Sequence, residues 1–355
     1  MLNVGIVGLP NVGKSTLFNA LLQKQVADVS AYPFCTIKPN VGIVEVPDER
    51  LALLGKITGI NKLVPAAVEF VDIAGLVKGA HKGEGLGNQF LASIREMSLI
   101  CHLVRFFKDE KIAHVVGEIN PAEDVKTINT ELILADLQTL DKQKQPRDSQ
   151  KKEKIFWETV CLLKKELNQG KLAREIKLSE EQRESVEKLF LLTLKPIIYV
   201  ANIGEEELEK RNKILKSFSH LPVISLSAKM ELNLVVLEKE DKEEYLSQYN
   251  LKEPGLNRLI NLAYETLGLV TFFTITGSKE ARAWTIKKGT PALQAAGVVH
   301  SDFEKKFIKA QVTSFKNLVE YGGWGKARAA GKARNEGREY LIKDGEVVEF
   351  KSGSG

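Results

Sequence analysis

Gly8-Leu9-Pro10-Asn11-Val12-Gly13-Lys14-Ser15-Thr16 decides how this chain is read, because it matches the pattern G-x-x-x-x-G-K-[ST]. Ahead of it runs Leu2-Asn3-Val4-Gly5-Ile6-Val7, an apolar stretch of strand length. Behind it, Ser15-Thr16-Leu17-Phe18-Asn19-Ala20-Leu21-Leu22 has helical spacing. A strand, a glycine-bounded loop and a helix are the setting in which this pattern cradles phosphate. The glycines let backbone N–H groups turn inward around phosphate oxygens. The helix N-terminus adds partial positive charge. Asn11, Val12, Gly13 and Thr16 complete the wrap, Lys14 reaches the β- and γ-phosphates, and the Ser15 hydroxyl is a ligand for Mg²⁺.

Two more groups extend the site. Asp72 ends the apolar strand Val68–Asp72 and opens Asp72-Ile73-Ala74-Gly75, a D-x-x-G. Its carboxylate can hold Mg²⁺ through water, and the Gly75 N–H can meet a γ-phosphate. Thr36, in a loop holding Pro33 and Pro39, can give Mg²⁺ a second hydroxyl. Further strands are predicted at Gly42–Val46, Leu99–Phe106, Pro196–Ala201 and Val223–Leu226. Strands alternating with helices predict an α/β fold with a mostly parallel sheet covered on both faces.

Residues 129–194 follow another pattern. Ile133, Leu137 and Leu140, then Phe156, Val160, Leu163 and Leu167, recur at helical spacing on either side of the polar stretch Lys142–Lys154, which holds Pro146. This predicts two antiparallel helices, a coiled-coil-like hairpin. After residue 270, strands at Phe272–Thr276 and Ala283–Ile286 and an Asp-Gly hairpin over Lys343–Phe350 predict a small α+β domain. The expected organisation is 1–128 with 195–270 as the nucleotide domain, 129–194 as a helical insert, 271–351 as a C-terminal domain, and 352–355 as a flexible tail.

Composition excludes several classes. The chain has 355 residues, 43% hydrophobic and 27% charged, which is neither collagenous, mucin-like nor disordered. No apolar run approaches the ~20 residues that span a bilayer, and Met1-Leu2-Asn3-Val4 has no basic leader, so neither membrane nor secretion is expected. Cys35, Cys101 and Cys161 are scattered, which fits a reducing compartment and neither a disulfide framework nor a zinc site. Thr271–Lys351 holds 15 Lys and Arg against 9 Asp and Glu, although the whole chain is only +5. A basic end on a near-neutral body points to a polyanionic partner.

Together, Gly8–Thr16, Tyr32-Pro33-Phe34-Cys35-Thr36-Ile37-Lys38-Pro39-Asn40, Asp72–Ala80 and Gly83-Glu84-Gly85-Leu86-Gly87-Asn88-Gln89-Phe90 closely resemble the YchF / Obg-like ATPase family of translation-factor-related P-loop NTPases. The resemblance extends over nearly the whole chain. Ala281–Thr285 and His300–Lys305 resemble a TGS domain, a ubiquitin-like β-grasp module. It implies a cytoplasmic, monomeric, ribosome-associated ATPase, with the helical insert and the basic end touching rRNA and ribosomal proteins, acting as a switch in translation or a stress response. Lys326, Arg328, Lys332, Arg334 and Arg338 are the expected RNA contacts.

Base choice is read at Asn202-Ile203-Gly204-Glu205, where ordinary GTPases have N-K-x-D. The N-x-x-E form resembles the family's and implies ATP over GTP. Asn202 is expected to accept from the adenine amine, and Ile203 to pack on the ring. Ser227-Ala228-Lys229 pulls the other way, since S-A-K is the guanine loop of ordinary GTPases. A GTP-preferring enzyme therefore stays open, as does a scaffold that ATP merely stabilises; a small-molecule kinase would need an Arg-rich lid that the Lys/Glu-rich insert lacks. The residue after D-x-x-G is Leu76, which cannot orient water, so slow hydrolysis is expected. The resemblance assigns His114 as catalytic alongside Lys14 and Gly75, and Asn11 as a ligand of K⁺ beside the phosphates.

Overall fold

A computed structural model describes residues 3–24, 40–73, 86–109, 119–146, 151–218, 222–276 and 279–353. Thr36, Gly75, Leu76 and His114 lie outside the described residues. The strands are β1 (Asn3–Val7), β2 (Val41–Glu45), β3 (Leu63–Val64), β4 (Ala67–Asp72), β5 (Leu99–Arg105), β6 (Ile197–Asn202), β7 (Val223–Leu226), β8 (Leu269–Thr276), β9 (Glu280–Lys287), β10 (Phe307–Ser314), β11 (Arg334–Glu336) and β12 (Glu346–Ser352). Among the described residues, 3–24, 40–42 and 69–259 belong to one compact unit, and 43–68 and 260–353 to a second.

In the first unit the strand order is β2-β4-β1-β5-β6-β7. β1 pairs in parallel with β4 and with β5, β5 with β6, and β6 with β7. β5 and β6 are buried at every residue, as strands covered on both faces must be. The carboxyl ends of β1, β4, β5, β6 and β7 therefore lie along one edge, where ligands of open parallel sheets bind. Between β5 and β6 come the helices Pro121–Asp141 and Lys151–Asn168. Asn120 caps the first, accepting from the Glu123 N–H at 3.2 Å, with Pro121 in the first turn. The pair shares an apolar core of Ile133, Leu140, Val160, Leu163 and Leu167, with Leu137 and Phe156 packed on it. The first helix begins eight residues before the predicted insert.

A buried polar joint anchors these helices. Asp136 accepts from the Leu192 N–H (2.8 Å), the Thr193 N–H (2.7 Å) and the Thr193 hydroxyl (2.7 Å). Burial pushes its carboxyl upward, against the pull of those donors.

In the second unit the strand order is β11-β10-β12-β8-β9-β3. β8 and β9 form an antiparallel hairpin from Leu269↔Lys287 to Thr276↔Glu280. The helix Ala292–Val299 packs its alanines against Phe272, Phe307, Val312, Val348 and Phe350. β3 extends this sheet by pairing in parallel with β9, so the stretch between β2 and β4 folds with the C-terminal segment. The expected hairpin over Lys343–Phe350 is corrected. Asp344-Gly345 is a turn, with Gly345 at φ 74°, but it leads into β12 with no partner strand before it. β12 pairs with β10 and β8. The turn is held by Asp344, which accepts from the Thr271 N–H at 2.9 Å and pairs with Arg50 at 2.6 Å. Side-chain bonds of this kind determine where the turn points, and the Asp-Gly dipeptide alone does not.

Candidate nucleotide-binding site

The loop after β1 folds as the phosphate pattern requires. Asn11 has φ 63°, and Gly13 has φ 95° and caps the helix Lys14–Gln23. A Cβ at Gly13 would meet the Asn202 amide, and one at Gly8 would lie 2.6 Å from the Leu103 carbonyl oxygen, so both positions require glycine. Lys14 folds back over the loop, and its Nζ donates to the Gly8 carbonyl at 3.0 Å and the Leu9 carbonyl at 2.8 Å. Burial lowers the Lys14 pKa, and Asp72 pulls it up. Asp72 shows the reciprocal behaviour: burial raises its carboxyl and Lys14 holds it down. Its backbone N–H donates to the Asn40 carbonyl at 2.9 Å, and its Oδ1 is buried with no hydrogen-bond partner. An orphaned buried carboxylate oxygen facing a lysine, with the exposed Ser15 hydroxyl at the helix start, is a donor set that fits a hard divalent cation.

A cavity of about 600 Å³ opens at this edge of the sheet, a volume suited to a nucleotide. One wall is Asn11, Gly13, Lys14, Ser15 and Thr16; another is Asn202–Glu206; a third is Ser227, Ala228 and Lys229. Val12 is buried behind them. The fourth wall, Phe107, Lys108 and Asp109, was missed in the sequence. This segment leaves the end of β5, where a ligand edge would be sought, and its paired aromatics Phe106-Phe107 were the available signal. Arg105, buried in β5, stacks its guanidinium 4.4 Å from the Phe107 ring centre and donates from Nε to the Phe107 carbonyl at 3.2 Å. The Phe106 and Phe107 N–H groups donate to the Asn202 carbonyl at 2.9 and 3.2 Å. Phe107 is thus a fixed aromatic face on the cavity.

Asn202 and Ile203 both border the cavity, and both are already engaged by the protein. Asn202 is 4% exposed, and both ends of its carboxamide bond to protein. Its Nδ2 donates to the Val12 carbonyl and its Oδ1 accepts from the Ala228 N–H, each at 2.9 Å. It ties the phosphate loop to the Ser227–Lys229 loop. Ile203 borders the cavity, but its side chain is 1% exposed and packs with Ala201, Leu208, Met230 and Leu234. An isobutyl-sized group at a buried register gains more from the core than from a half-open ring contact. Ser227 caps the helix Ala228–Val235, its hydroxyl accepting from the Met230 N–H at 3.4 Å. Glu205 faces the cavity with one oxygen bound by the Tyr245 hydroxyl at 3.1 Å.

Asn202→Ala leaves a buried carbonyl and a buried N–H unpartnered. It is expected to cost about 3 kcal/mol of stability, read as a lowered urea midpoint at unchanged slope. Equal midpoints for Ala and wild type would remove the strut.

The five basic residues expected at RNA are all exposed. Arg328 is held by Gln311 at 2.5 Å and Glu349 at 3.3 Å, and Arg334 pairs with Glu336 at 3.4 Å and Glu346 at 3.5 Å. Lys326, Lys332 and Arg338 stand on the same segment of the second unit. No described helix is long and apolar enough to cross a membrane.

Comparisons with known proteins agree with this geometry. Residues 3–137 match the family model described as "50S ribosome-binding GTPase", and residues 269–353 match YchF-GTPase_C, described as "Protein of unknown function (DUF933)". The chain is 48% identical to the Ribosome-binding ATPase YchF of Bacillus subtilis (strain 168), covering 99% of each chain. It is 46% identical to the protein of the same name from Escherichia coli O157:H7, covering 98% of each. A solved structure, that of the Schizosaccharomyces pombe YchF GTPase, superposes with a TM-score of 0.87 at 34% identity, covering 99% of this chain and 97% of that one. With a phosphate loop and an N-x-x-E segment lining one cavity, and relatives matched end to end, this chain belongs to the YchF family.

Proposed function

We propose that this chain is a P-loop ATPase that binds the ribosome, prefers ATP to GTP, and uses slow hydrolysis as a cytoplasmic switch on translation. The observation that carries it is the cavity itself, which joins a preformed phosphate loop to a base-binding end. Lys14 is already held over the loop by two carbonyls and is poised to meet β- and γ-phosphate oxygens. Asp72 and Ser15 would hold Mg²⁺, which when bound neutralises phosphate charge. Asn11, on the cavity wall, is the proposed partner of K⁺. Thr36, Gly75 and His114 complete the proposal: Thr36 beside Mg²⁺, the Gly75 N–H toward the γ-phosphate, and the His114 imidazole orienting water. With Leu76 in place of a polar side chain, turnover is slow.

For the base, Phe107 offers a stacking face of either purine. The Ala228 N–H, the donor that guanine O6 would seek, is taken by Asn202 Oδ1. That supports ATP. The guanine reading retains S-A-K and the relative described as a GTPase. The ribosome reading is supported by relatives named ribosome-binding and by the excess charge of Thr271–Lys351. Lys326, Lys332 and Arg338 carry most of the proposed RNA contact, with Arg328 and Arg334 partly neutralised by their glutamates. The helical pair and the TGS-like C-terminal region are the proposed ribosome-facing modules of a monomer.

The test is calorimetric titration of the purified chain with non-hydrolysable ATP and GTP analogues and Mg²⁺, followed by co-sedimentation with ribosomes. ATP binding at least tenfold tighter, with ribosome pelleting that depends on the analogue, is expected. Equal or tighter GTP binding overturns the base assignment, and nucleotide-independent absence from the pellet overturns the partner.

A further inference from the structure

Arg105 is the last residue of β5, opposite Asn202 of β6, and it is 1% exposed. A strand covered on both faces has no use for a cation in its core, and a guanidinium taken out of water is costly unless acceptors meet it. Two of its acceptors lie in the chain that leaves β5. Nε donates to the Phe107 carbonyl at 3.2 Å, and Nη2 to the Asp109 carbonyl at 3.4 Å. The segment 106–109 therefore wraps around a planar fork, which fixes two points more rigidly than a lysine ammonium would. The guanidinium carbon also lies 4.4 Å from the Phe107 ring centre, so the cation backs the ring. The backbone is tied down as well: the Phe106 and Phe107 N–H groups donate to the Asn202 carbonyl at 2.9 and 3.2 Å. Phe107, Lys108 and Asp109, the residues within this wrap, wall the cavity, whereas Arg105 itself does not line it.

We propose that Arg105 is a positioning residue for nucleotide binding: without touching the nucleotide, it holds the wall Phe107–Asp109 in place before the base arrives. A short loop at the mouth of an open cavity, left to itself, samples many conformers. A ligand that must order such a loop loses affinity in proportion to the fraction of molecules that are not already competent. Here the ordering is done on folding, by bonds internal to the protein, and the base meets a ring already fixed from behind. An aromatic face stacks on any base, because every base has a π-face. Arg105 therefore sets how tightly a purine is held and has no part in which purine is chosen.

The inference rests on the reading of this cavity as a nucleotide site, and the experiment separates the two. Affinities for ATP and GTP analogues with Mg²⁺ are measured for wild type, Arg105→Met, Phe107→Ala and the double variant. Arg105→Met should weaken both nucleotides about tenfold. In the Phe107→Ala background, where no ring is left to position, the same substitution should cost less than about twofold. An equal loss in both backgrounds means that Arg105 acts on the fold at large, and it overturns the proposal; so does wild-type affinity in Arg105→Met. The wild-type ATP-to-GTP ratio tests the purine reading, whereas the cycle tests Arg105 whatever that ratio is. Absence of binding of either nucleotide to wild type overturns both. Amide hydrogen exchange adds a local readout. In Arg105→Met the Phe106 and Phe107 amides should lose protection while those of Leu99–Val104 keep theirs; loss throughout β5 overturns the proposal. Wild type supplies an arm that needs no variant. Without nucleotide, its Phe106 and Phe107 amides should already exchange about a hundredfold more slowly than in an unstructured chain. Exchange at the unstructured rate until ATP is added would mean that the nucleotide orders the wall, and would overturn the proposal even if Arg105→Met does not fold.

Discussion

Lys14→Ala is expected to lower single-turnover ATP hydrolysis by about a thousandfold or more, with ATP affinity falling at the same time. The side chain is the cation that the phosphate loop holds ready, donating to Gly8 and Leu9 in a partly buried place. On nucleotide binding those two bonds can be exchanged for phosphate oxygens with little reorganisation, which is where a preformed cation gains its advantage over one drawn from water. Alanine removes that charge and also leaves Asp72 without its nearby counter-charge. The signs of the pH response follow from the same pair. Burial holds Lys14 below the ordinary lysine value, so its charge is lost at a lower pH on the alkaline side. Burial holds Asp72 above the ordinary aspartate value, so its charge is lost at a higher pH on the acid side. ATP binding should therefore weaken at both ends, over a narrower plateau than free side chains would give. Retention of more than a tenth of wild-type turnover in Lys14→Ala would remove the lysine from the chemistry.

Acid should destabilise the fold chiefly through His102. This residue lies on β5, opposite Val7 of β1, at 1% exposure, with its ring 5.4 Å from that of Tyr199. Burial, then the charges of Arg174 and Lys14, lower its pKa from 6.5 to about 3. Between those values the unfolded chain takes up a proton that the folded chain refuses. Stability is thus fully present above the ordinary histidine value and is lost as pH falls below it, by about 1.4 kcal/mol per unit and about 2 kcal/mol by pH 5. Urea midpoints of wild type and His102→Gln at pH 7 and pH 5 isolate this contribution, because every other titrating group is shared. Wild type should lose about 2 kcal/mol more than the variant over that interval. Parallel losses would mean that His102 titrates in the folded chain as it does in the unfolded one.

The phosphate loop was legible because its requirements are local. Gly8 and Gly13 are demanded by close approach and by a positive φ, the strand before them by a short apolar run, and the helix after them by spacing. The strands through Asp72, Arg105, Asn202 and Leu226 were legible for the same reason, within a residue or two at each end. The short β3 and β11 were not, since two or three residues show no period. β10 was missed too, although it is eight residues long, because its burial does not alternate cleanly. The base-binding end was read from residue type, which does not say how its atoms are already bonded. Asn202 has the right chemistry for adenine, but its carboxamide bonds to Val12 and Ala228, which lie far away in sequence. Phe107 escaped notice because an aromatic after a strand is core more often than ligand wall, and only the stacked Arg105 and the Asn202 carbonyl hold it at the cavity.

By itself, then, the sequence determined that this chain holds phosphate, in which loop, and with which lysine and aspartate, because backbone conformation and strand–helix order depend on neighbours a few residues apart. Which groups remain open to the base was decided only by the tertiary structure. Asn202 and Glu205, Ala228, and Tyr245 come from three separate segments, and whether each donor or acceptor is free depends on hydrogen bonds made across the fold. Residue identity specifies what a side chain can bond to; packing specifies what it has already bonded to.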